Sequence, residues 1–245
     1  MRVAVISDVH ANLEALEAVL AEIDTLGVDR IVCPGDLVGY NADPNAVVDR
    51  MRGLAILSIM GNHDVVACGI EEPVGFNPVA TRAALWTRDE VSDTNREYLA
   101  GLPAESGFDD RFHMVHGSLV HRDSYIFSSK DIAENFSLMK ERCPSLSICF
   151  FGHTHYQVAY SYHIGEVEMI TSPEFTLHEG RLYLINPGSV GQPRDHDPRA
   201  AFLVIDFERM EVSFRRVEYD IAACRAKILA NSLPVELANR LLKGW

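Results

Sequence analysis

The sequence lacks the features of membrane-spanning and disulfide-stabilised proteins. No apolar run approaches the roughly 20 residues that a transmembrane helix needs. The five cysteines are odd in number and form no CxxC pair, so we expect buried free thiols in a reducing compartment. No secretory signal separates Met1 from the first strand-like run, and we therefore expect a cytoplasmic protein that is not bound to a membrane.

Positive charge is also scarce. Lys and Arg total 22 against 35 Asp and Glu, which gives a formal net charge of −13. This balance argues against a nucleic acid polymer as the partner. It does not exclude a small anionic substrate, because bound divalent cations would reverse the local potential.

No internal repeat, low-complexity tract or long linker interrupts the 245 residues, so we expect one domain over residues 1–245. Helical patterns separate the early strand-like runs, and β-hairpins follow residue 156 before a helical segment that starts near Asp220. The first half therefore predicts β-α-β units with parallel strands, and the second half predicts antiparallel ones. The predicted strands are Arg2–Ser7, Arg30–Cys33, Leu54–Ile59, Phe112–Val115, Ser147–Phe151, Gln157–Tyr162, Val167–Ile170, Arg181–Ile185, Ala201–Asp206 and Glu211–Val217.

Five short motifs each follow an apolar run that is typical of a buried strand. In an open α/β sheet, functional groups collect at the carboxyl ends of the strands. We therefore expect these motifs to converge on one site. They are Asp8-Val9-His10, Gly35-Asp36, Gly61-Asn62-His63-Asp64, His116-Gly117 and Gly152-His153-Thr154-His155.

The side chains in these motifs are typical metal ligands. Apart from His63, they supply two aspartates, one asparagine and four histidines: Asp8, His10, Asp36, Asn62, His116, His153 and His155. This set is too large for one tetrahedral ion, and two ions that share Asp36 satisfy it most simply. Mixed nitrogen and oxygen ligands without sulfur favour Mn, Fe, Zn or Ni over a thiolate-bound structural zinc.

The ordered set DxH, GD, GNHD, HG and GHTH resembles the calcineurin-like metallophosphoesterase superfamily, in its small bacterial and archaeal phosphodiesterase-like branch. The resemblance implies an α/β fold, a four-layer α/β/β/α sandwich of two mixed sheets flanked by helices. It also implies two divalent transition metal ions, manganese first, that activate water as hydroxide for attack on a phosphate ester. By matching motif, the first ion takes Asp8, His10, Asp36 and His155, and the second takes Asp36, Asn62, His116 and His153. His63 then matches the catalytic histidine, and Asp64 matches the carboxylate that orients it and favours its protonated form.

Four other residues are candidates for substrate contact: Asn12, Tyr40, Asn41 and Arg194. Arg194 ends Asn186–Arg194, a segment that also resembles these phosphodiesterases and that otherwise reads as a glycine-rich turn. Asn12 can alternatively cap the first helix. In the protein Ser/Thr phosphatases of the superfamily the second motif reads GDxxDR, but here it reads Gly35-Asp36-Leu37-Val38-Gly39-Tyr40. The absent arginine favours small phosphate esters over phosphoproteins.

We therefore expect a phosphodiesterase that acts on small or nucleotide-like substrates. A phosphomonoesterase or a dinucleoside polyphosphate hydrolase remains an alternative, because selectivity comes from the surroundings of a shared centre. A non-catalytic scaffold is a third alternative, although no ligand motif is missing. The motifs leave the native metal and the oligomeric state open.

Overall fold

The computed structural model describes all 245 residues and contains two six-stranded sheets. The first sheet has the order β3-β2-β1-β11-β12-β9, and the second has the order β4-β5-β6-β10-β7-β8. The strands are β1 Arg2–Val5, β2 Arg30–Cys33, β3 Leu57–Ser58, β4 Glu105–Phe108, β5 Phe112–Val115, β6 Ile148–Phe150, β7 Gln157–His163, β8 Glu166–Ile170, β9 Glu174–Thr176, β10 Leu182–Pro187, β11 Ala200–Asp206 and β12 Glu211–Val217.

Both sheets are mixed, as the sequence predicts. Strand β1 pairs in parallel with β2 and antiparallel with β11, while β6 pairs in parallel with β5 and β10. The short edge strands β4 and β9 are not predicted, because their sequences show no apolar alternation. The predicted strand Leu54–Ile59 is reduced to Leu57–Ser58, since Leu54 caps the end of the preceding helix.

Eight helices accompany the sheets. They are α1 Leu13–Thr25, α2 Pro44–Gly53, α3 Asn62–Ala67, α4 Pro78–Glu90, α5 Asp93–Ala100, α6 Ser129–Arg142, α7 Ile221–Ala230 and α8 Val235–Leu241. Helices α2 and α4 begin directly after Asp43 and Asn77, with proline at the first helical turn in both. No helix is long and apolar enough to cross a membrane.

The hydrophobic core lies in layers. A cluster that includes Val5, Ile205, Phe112 and Phe150 fills the space between the two sheets. Helices α1 and α2 pack on the outer face of the first sheet, and α6 packs on the outer face of the second. This is the expected α/β/β/α sandwich, and the shared inner core supports the proposal that residues 1–245 form one domain.

Candidate metal centre

The carboxyl ends of five strands meet at one edge of the sandwich. Asp8 follows β1, Asp36 follows β2 and Asn62 follows β3, all from the first sheet, while His116 follows β5 and His153 follows β6 in the second. Backbone hydrogen bonds join the loops: the N–H of Asp8 donates to Gly35 O at 3.1 Å, and that of Gly152 donates to His116 O at 2.7 Å. The two sheets therefore build this site together.

The backbone at the site is strained. Asp8, His10, Asp36, His153 and His155 all have positive φ angles, between 48° at His10 and 64° at His153. Side chains with a Cβ seldom adopt this left-handed region, and such residues concentrate at functional sites. The strained turns point these five side chains inward. The two ligand residues of the DxH motif and those of the HTH motif therefore converge through tight turns and not through extended chain.

Two glycines allow the loops to approach the buried carboxylates. A Cβ at Gly61 would collide with Oδ1 and the backbone nitrogen of Asp36, and a Cβ at Gly152 would collide with Ser7 Oγ and lie 2.7 Å from Asp8 Oδ2. Glycine is therefore required at both positions by contact distance alone.

The potential ligand atoms lie in three overlapping groups. Within each group, one atom from each of three side chains lies within 4.8 Å of the others. The groups are Asp8–His10–His155, Asp36–His116–His153 and His10–Asp36–His63. The first two correspond to the two predicted sets, and the third places His63 beside them.

Asp36 lies between these groups. Its Oδ1 accepts a hydrogen bond from the backbone N–H of His63 at 2.9 Å. Its Oδ2 lies 3.5 Å from His10 Nε2 and 3.3 Å from His116 Nε2. A single oxygen therefore faces both sets of imidazoles, which is the arrangement that a bridging carboxylate requires.

The hydrogen bonds of the His10 and His155 imidazoles show whether a cation fits at this site. The Nδ1 of His10 donates to Val38 O at 3.0 Å, and the Nδ1 of His155 donates to Gln192 O at 2.6 Å. A neutral imidazole has only one N–H, so both Nε2 atoms carry lone pairs, and they face each other at 3.0 Å. A cation that accepts both lone pairs removes this repulsion, so the residues fit a metal ion.

The second set shows the same pattern. The Nδ1 of His116 donates to Pro34 O at 2.8 Å, and its Nε2 lies 2.9 Å from Asn62 Oδ1. The Nε2 of His153 donates to Asp123 O at 3.2 Å, which leaves its Nδ1 free as a ligand. Backbone carbonyls thus fix which nitrogen of each histidine is presented.

Burial is the largest single influence on the pKa values of these side chains. It raises the pKa of Asp8 to about 7 and lowers that of His153 to about 3. Burial would also raise the pKa of Asp36, but His116, His63 and His10 hold it well below its usual range. Burial would lower the pKa of His116, but the carboxylate of Asp36 raises it to about 9. Burial therefore disfavours the carboxylate form of Asp8, and a bound cation would stabilise that form.

The hydrogen-bond partners of Asp64 differ from the predicted one, His63. Its two oxygens accept the backbone N–H groups of Gly61 at 2.9 Å and Val38 at 3.1 Å, and neither contacts the ring of His63. The Nδ1 of His63 is buried without a hydrogen-bond partner, and burial lowers the pKa of this histidine to about 4. Asp64 therefore joins two site loops, and its predicted role as the partner of His63 stays a prediction.

For Asn12 the alternative of a helix cap is confirmed, and the side chain of Asn41 is likewise bound to the backbone. Asn12 is fully buried, caps α1 through Ala15 N–H and donates to Gly191 O at 3.0 Å. Asn41 is fully buried and donates to His10 O at 2.8 Å. Neither side chain lines the cavity beside the site, because both are engaged by backbone partners.

Tyr40 and Arg194 do line that cavity, which has a volume of about 220 Å³. His63, Asp36, Asn62, His153 and His155 form its floor, and Phe76, Asn77, Asp123 and Tyr125 contribute to its walls. Of the aromatic residues in the segment 65–103, Phe76 shapes the cavity, whereas Trp86 and Tyr98 pack against hydrophobic clusters. Tyr125 lies in the loop that begins with the His116 motif after β5. This position in the sequence is the signal that could have identified it.

The segment Asn186–Arg194 supports the metal loops as well. Asn186 donates to Gly152 O at 2.7 Å, and the hydroxyl of Ser189 donates to Asp8 O at 2.7 Å. Gln192 O accepts from His155, as described above. The segment therefore forms a turn that supports the metal loops, and the predicted contact of Arg194 with the substrate stays a prediction.

Comparison with known proteins identifies the family. The profile of the calcineurin-like phosphoesterase superfamily domain matches residues 1–210. The chain belongs to this superfamily. It is 36% identical to an uncharacterized protein of Methanocaldococcus jannaschii, over 99% of this chain and 98% of that protein. It is therefore a metal-dependent phosphoesterase, a hydrolase that acts on phosphate esters.

Solved structures agree with this assignment. The crystal structure of a metallophosphoesterase from Sphaerobacter thermophilus is 37% identical, covers 100% of both chains and superposes with a TM-score of 0.84. A hypothetical protein from Pyrococcus horikoshii OT3 is 22% identical, covers 100% of this chain and 98% of its own, and has a TM-score of 0.81, which shows the same fold.

Proposed function

We propose that this phosphoesterase is a dinuclear enzyme that hydrolyses small or nucleotide-like phosphodiesters. The observation that carries the proposal is the position of Asp36 Oδ2, 3.5 Å from His10 Nε2 and 3.3 Å from His116 Nε2, between two sets of inward-facing ligand atoms. Asp36 and the other six predicted ligands would together hold two ions, and nitrogen and oxygen donors suit manganese first, with iron, zinc or nickel as alternatives.

When bound, two divalent cations lower the pKa of water and draw charge from the phosphoryl oxygens. The chain's own residues then define the geometry. Asp8, His10 and His155 hold one side of the site, and Asn62, His116 and His153 hold the other. Because their backbone hydrogen bonds fix the ring nitrogens, the ligand atoms are preorganised before a substrate arrives.

We assign His63 to catalysis rather than to metal binding. Its ring centroid lies 4.3 Å from that of Tyr40, 4.9 Å from that of His10 and 4.8 Å from that of Phe76, at the floor of the cavity. A neutral imidazole in this place can donate its single N–H to the leaving oxygen or to a phosphoryl oxygen.

Arg194 is the arginine that can contact a substrate in the cavity. It lines the cavity, and its guanidinium carbon lies 5.6 Å from the ring centroid of Tyr40. A guanidinium can bind two phosphate oxygens at once, so Arg194 replaces the phosphate-binding arginine that the Gly35-Asp36 motif lacks. The five free cysteines support a reducing compartment such as the cytoplasm for this reaction.

The test is hydrolysis of bis-p-nitrophenyl phosphate and of p-nitrophenyl phosphate after loading with Mn²⁺. The proposal predicts turnover of the diester at a higher kcat/KM than the monoester. The reverse order would assign the protein to the phosphomonoesterases, and no turnover of either ester with Mn²⁺, Fe²⁺, Zn²⁺ or Ni²⁺ would reject the proposed function.

A further inference from the structure

The cavity at the metal centre continues into a second hollow of about 270 Å³. The two spaces share Tyr40, Asn77, Tyr125 and Arg194 as wall residues. None of the residues that line the second hollow is Asp or Glu, although the chain contains 35 of them. The hollow is therefore lined by two cationic side chains, Arg194 and Arg240, and by no acidic side chain.

Two arginines in the hollow lack carboxylate partners. Arg194 donates to the hydroxyl of Tyr40 at 3.3 Å and to the side chain of Gln192 at 3.1 Å, and its Nε is buried without a partner. Arg240, at the end of α8, lines the same hollow. Burial, followed by the positive charge of Arg194, lowers the pKa of Arg240, so the two guanidinium groups repel each other.

Other arginines of this acidic chain do form ion pairs with carboxylates. Arg142 pairs with Glu105 at 2.7 Å, and Arg199 pairs with Asp197 at 2.6 Å. Two cations that repel each other, neither of them in an ion pair with a carboxylate, are stabilised when an anion binds between them.

Exposed aromatic side chains form the remaining wall. The ring of Tyr125 stacks on His153 at 4.2 Å and on Phe127 at 5.4 Å, which continues the aromatic surface outward from the metal centre. Such a cluster of exposed rings on one surface usually marks a binding site. The four rings and their exposed fractions are Tyr125 45%, Phe127 54%, Tyr156 39% and Trp245 60%.

The residues after α8 are fixed against the loop that carries Arg194. The N–H of His196 donates to Gly244 O at 2.8 Å, and a Cβ at Gly244 would lie 2.5 Å from the carbonyl carbon of Asp197. The N–H of Trp245 donates to Arg240 O at 3.4 Å. These contacts hold Arg240 and Trp245 at the hollow, so its shape does not depend on a free chain segment.

We propose that this hollow is a nucleotide subsite that binds a second phosphate group and the base of a substrate whose scissile phosphate lies at the metal centre. Arg194 and Arg240 bind the second phosphate, because guanidinium groups match phosphate oxygens in geometry and charge. The exposed rings stack on the base. The inference rests on the proposed function for the scissile group and narrows the substrate to nucleotides that carry at least two phosphates.

A matched pair of substrates tests the second phosphate. The p-nitrophenyl ester of thymidine 5′-phosphate is compared with the same compound that carries an additional 3′-phosphate, and both release p-nitrophenol. We expect the 3′-phosphorylated ester to have a kcat/KM roughly tenfold higher or more, as charge-assisted hydrogen bonds to phosphate imply. Arg240→Gln brings this ratio close to one.

Lys243→Gln is the matched control. Lys243 is exposed, follows α8 and does not line the hollow, but its substitution removes the same charge from the same segment. The wild-type ratio is retained in this variant if Arg240 acts by contact. An equal fall in both variants would show a general electrostatic effect and overturn the subsite.

Binding provides a readout that does not depend on turnover. Trp86→Phe leaves Trp245 as the remaining tryptophan, since the chain has two. We expect adenosine 3′,5′-bisphosphate to quench its fluorescence at about a tenfold lower concentration than adenosine 5′-phosphate does. Arg240→Gln in the Trp86→Phe background removes the difference.

The experiments can reject the nucleotide subsite and the phosphodiesterase function independently of each other. If bis-p-nitrophenyl phosphate is hydrolysed but the two thymidine esters have equal kcat/KM and the two adenosine nucleotides bind equally, the subsite is rejected and the phosphodiesterase stands. If no ester is hydrolysed, the proposed function is rejected, and the fluorescence titration alone decides the subsite.

Discussion

The Nε2 atoms of His10 and His155 face each other at 3.0 Å although the two residues are 145 positions apart in the chain. Each ring is fixed by a hydrogen bond from its Nδ1 to a backbone carbonyl, Val38 O for His10 and Gln192 O for His155. Neither Nε2 of the neutral rings has a proton to donate, so the pair is stable only when a cation lies between them. The most direct consequences concern metal binding.

Replacement of Asp36 by Asn is expected to reduce bound manganese below two ions per chain. The neutral amide cannot supply the negative oxygen that faces both His10 and His116, and turnover falls with the metal content. Elemental analysis of the purified variant measures the loss. Asp49→Asn, an exposed carboxylate paired with Arg52, is the control and keeps the wild-type metal content. Two tightly bound ions in Asp36→Asn would contradict the bridging role.

His63→Ala is expected to lower kcat for bis-p-nitrophenyl phosphate by about 10²- to 10³-fold, the usual contribution of one positioned hydrogen-bond donor to the transition state. The metal content should not change, because His63 is assigned to the substrate and not to the ions. Steady-state kinetics and elemental analysis on the same preparation separate the two effects. Loss of one ion per chain would instead make His63 a ligand of the third group, with His10 and Asp36.

Asp64→Ala is expected to reduce the free energy of unfolding by about 1 to 3 kcal/mol, because the buried N–H groups of Gly61 and Val38 lose their acceptor. Urea denaturation measures the change. Asp131→Ala, which removes an exposed capping carboxylate at α6, is a useful comparison and should cost less. An Asp64→Ala protein with unchanged stability but abolished turnover would restore the predicted role of Asp64 as a partner of His63.

Gly152→Ala is expected to weaken metal binding or prevent folding, because the new methyl group would collide with Ser7 Oγ and press on Asp8 Oδ2. Gly53→Ala at the end of α2 is the matched control, since a Cβ there meets nothing within 4 Å. Thermal unfolding with and without Mn²⁺ compares the two variants. If Gly152→Ala retains the wild-type melting temperature and metal response, the loop is less tightly packed than the structure shows.

The sequence predicts the layered fold and the convergence of the five motifs because strand ends in parallel units share one edge. The spacing of Asp8 and His10, two residues apart, is compatible with two local geometries. Extended chain would place alternate side chains on one face, whereas the structure uses left-handed turns at both residues. Spacing in the sequence cannot distinguish these two geometries.

The contacts that the sequence does not reveal join residues that are distant in the chain. Asn12 donates to Gly191 O, 179 positions away, and Asn41 donates to the same carbonyl at 3.4 Å. Arg240 belongs to no motif, and its position at the cavity depends on the packing of the segment after α8 against the Arg194 loop. Such contacts follow from tertiary packing, which local pattern does not encode.

The central claim is tested most directly by a titration of metal-free protein with Mn²⁺ while hydrolysis of bis-p-nitrophenyl phosphate is followed. The proposed dinuclear phosphodiesterase predicts that activity rises until two equivalents per chain are bound and then becomes constant. Activity that saturates at one equivalent, or no hydrolysis with two bound ions, would contradict it.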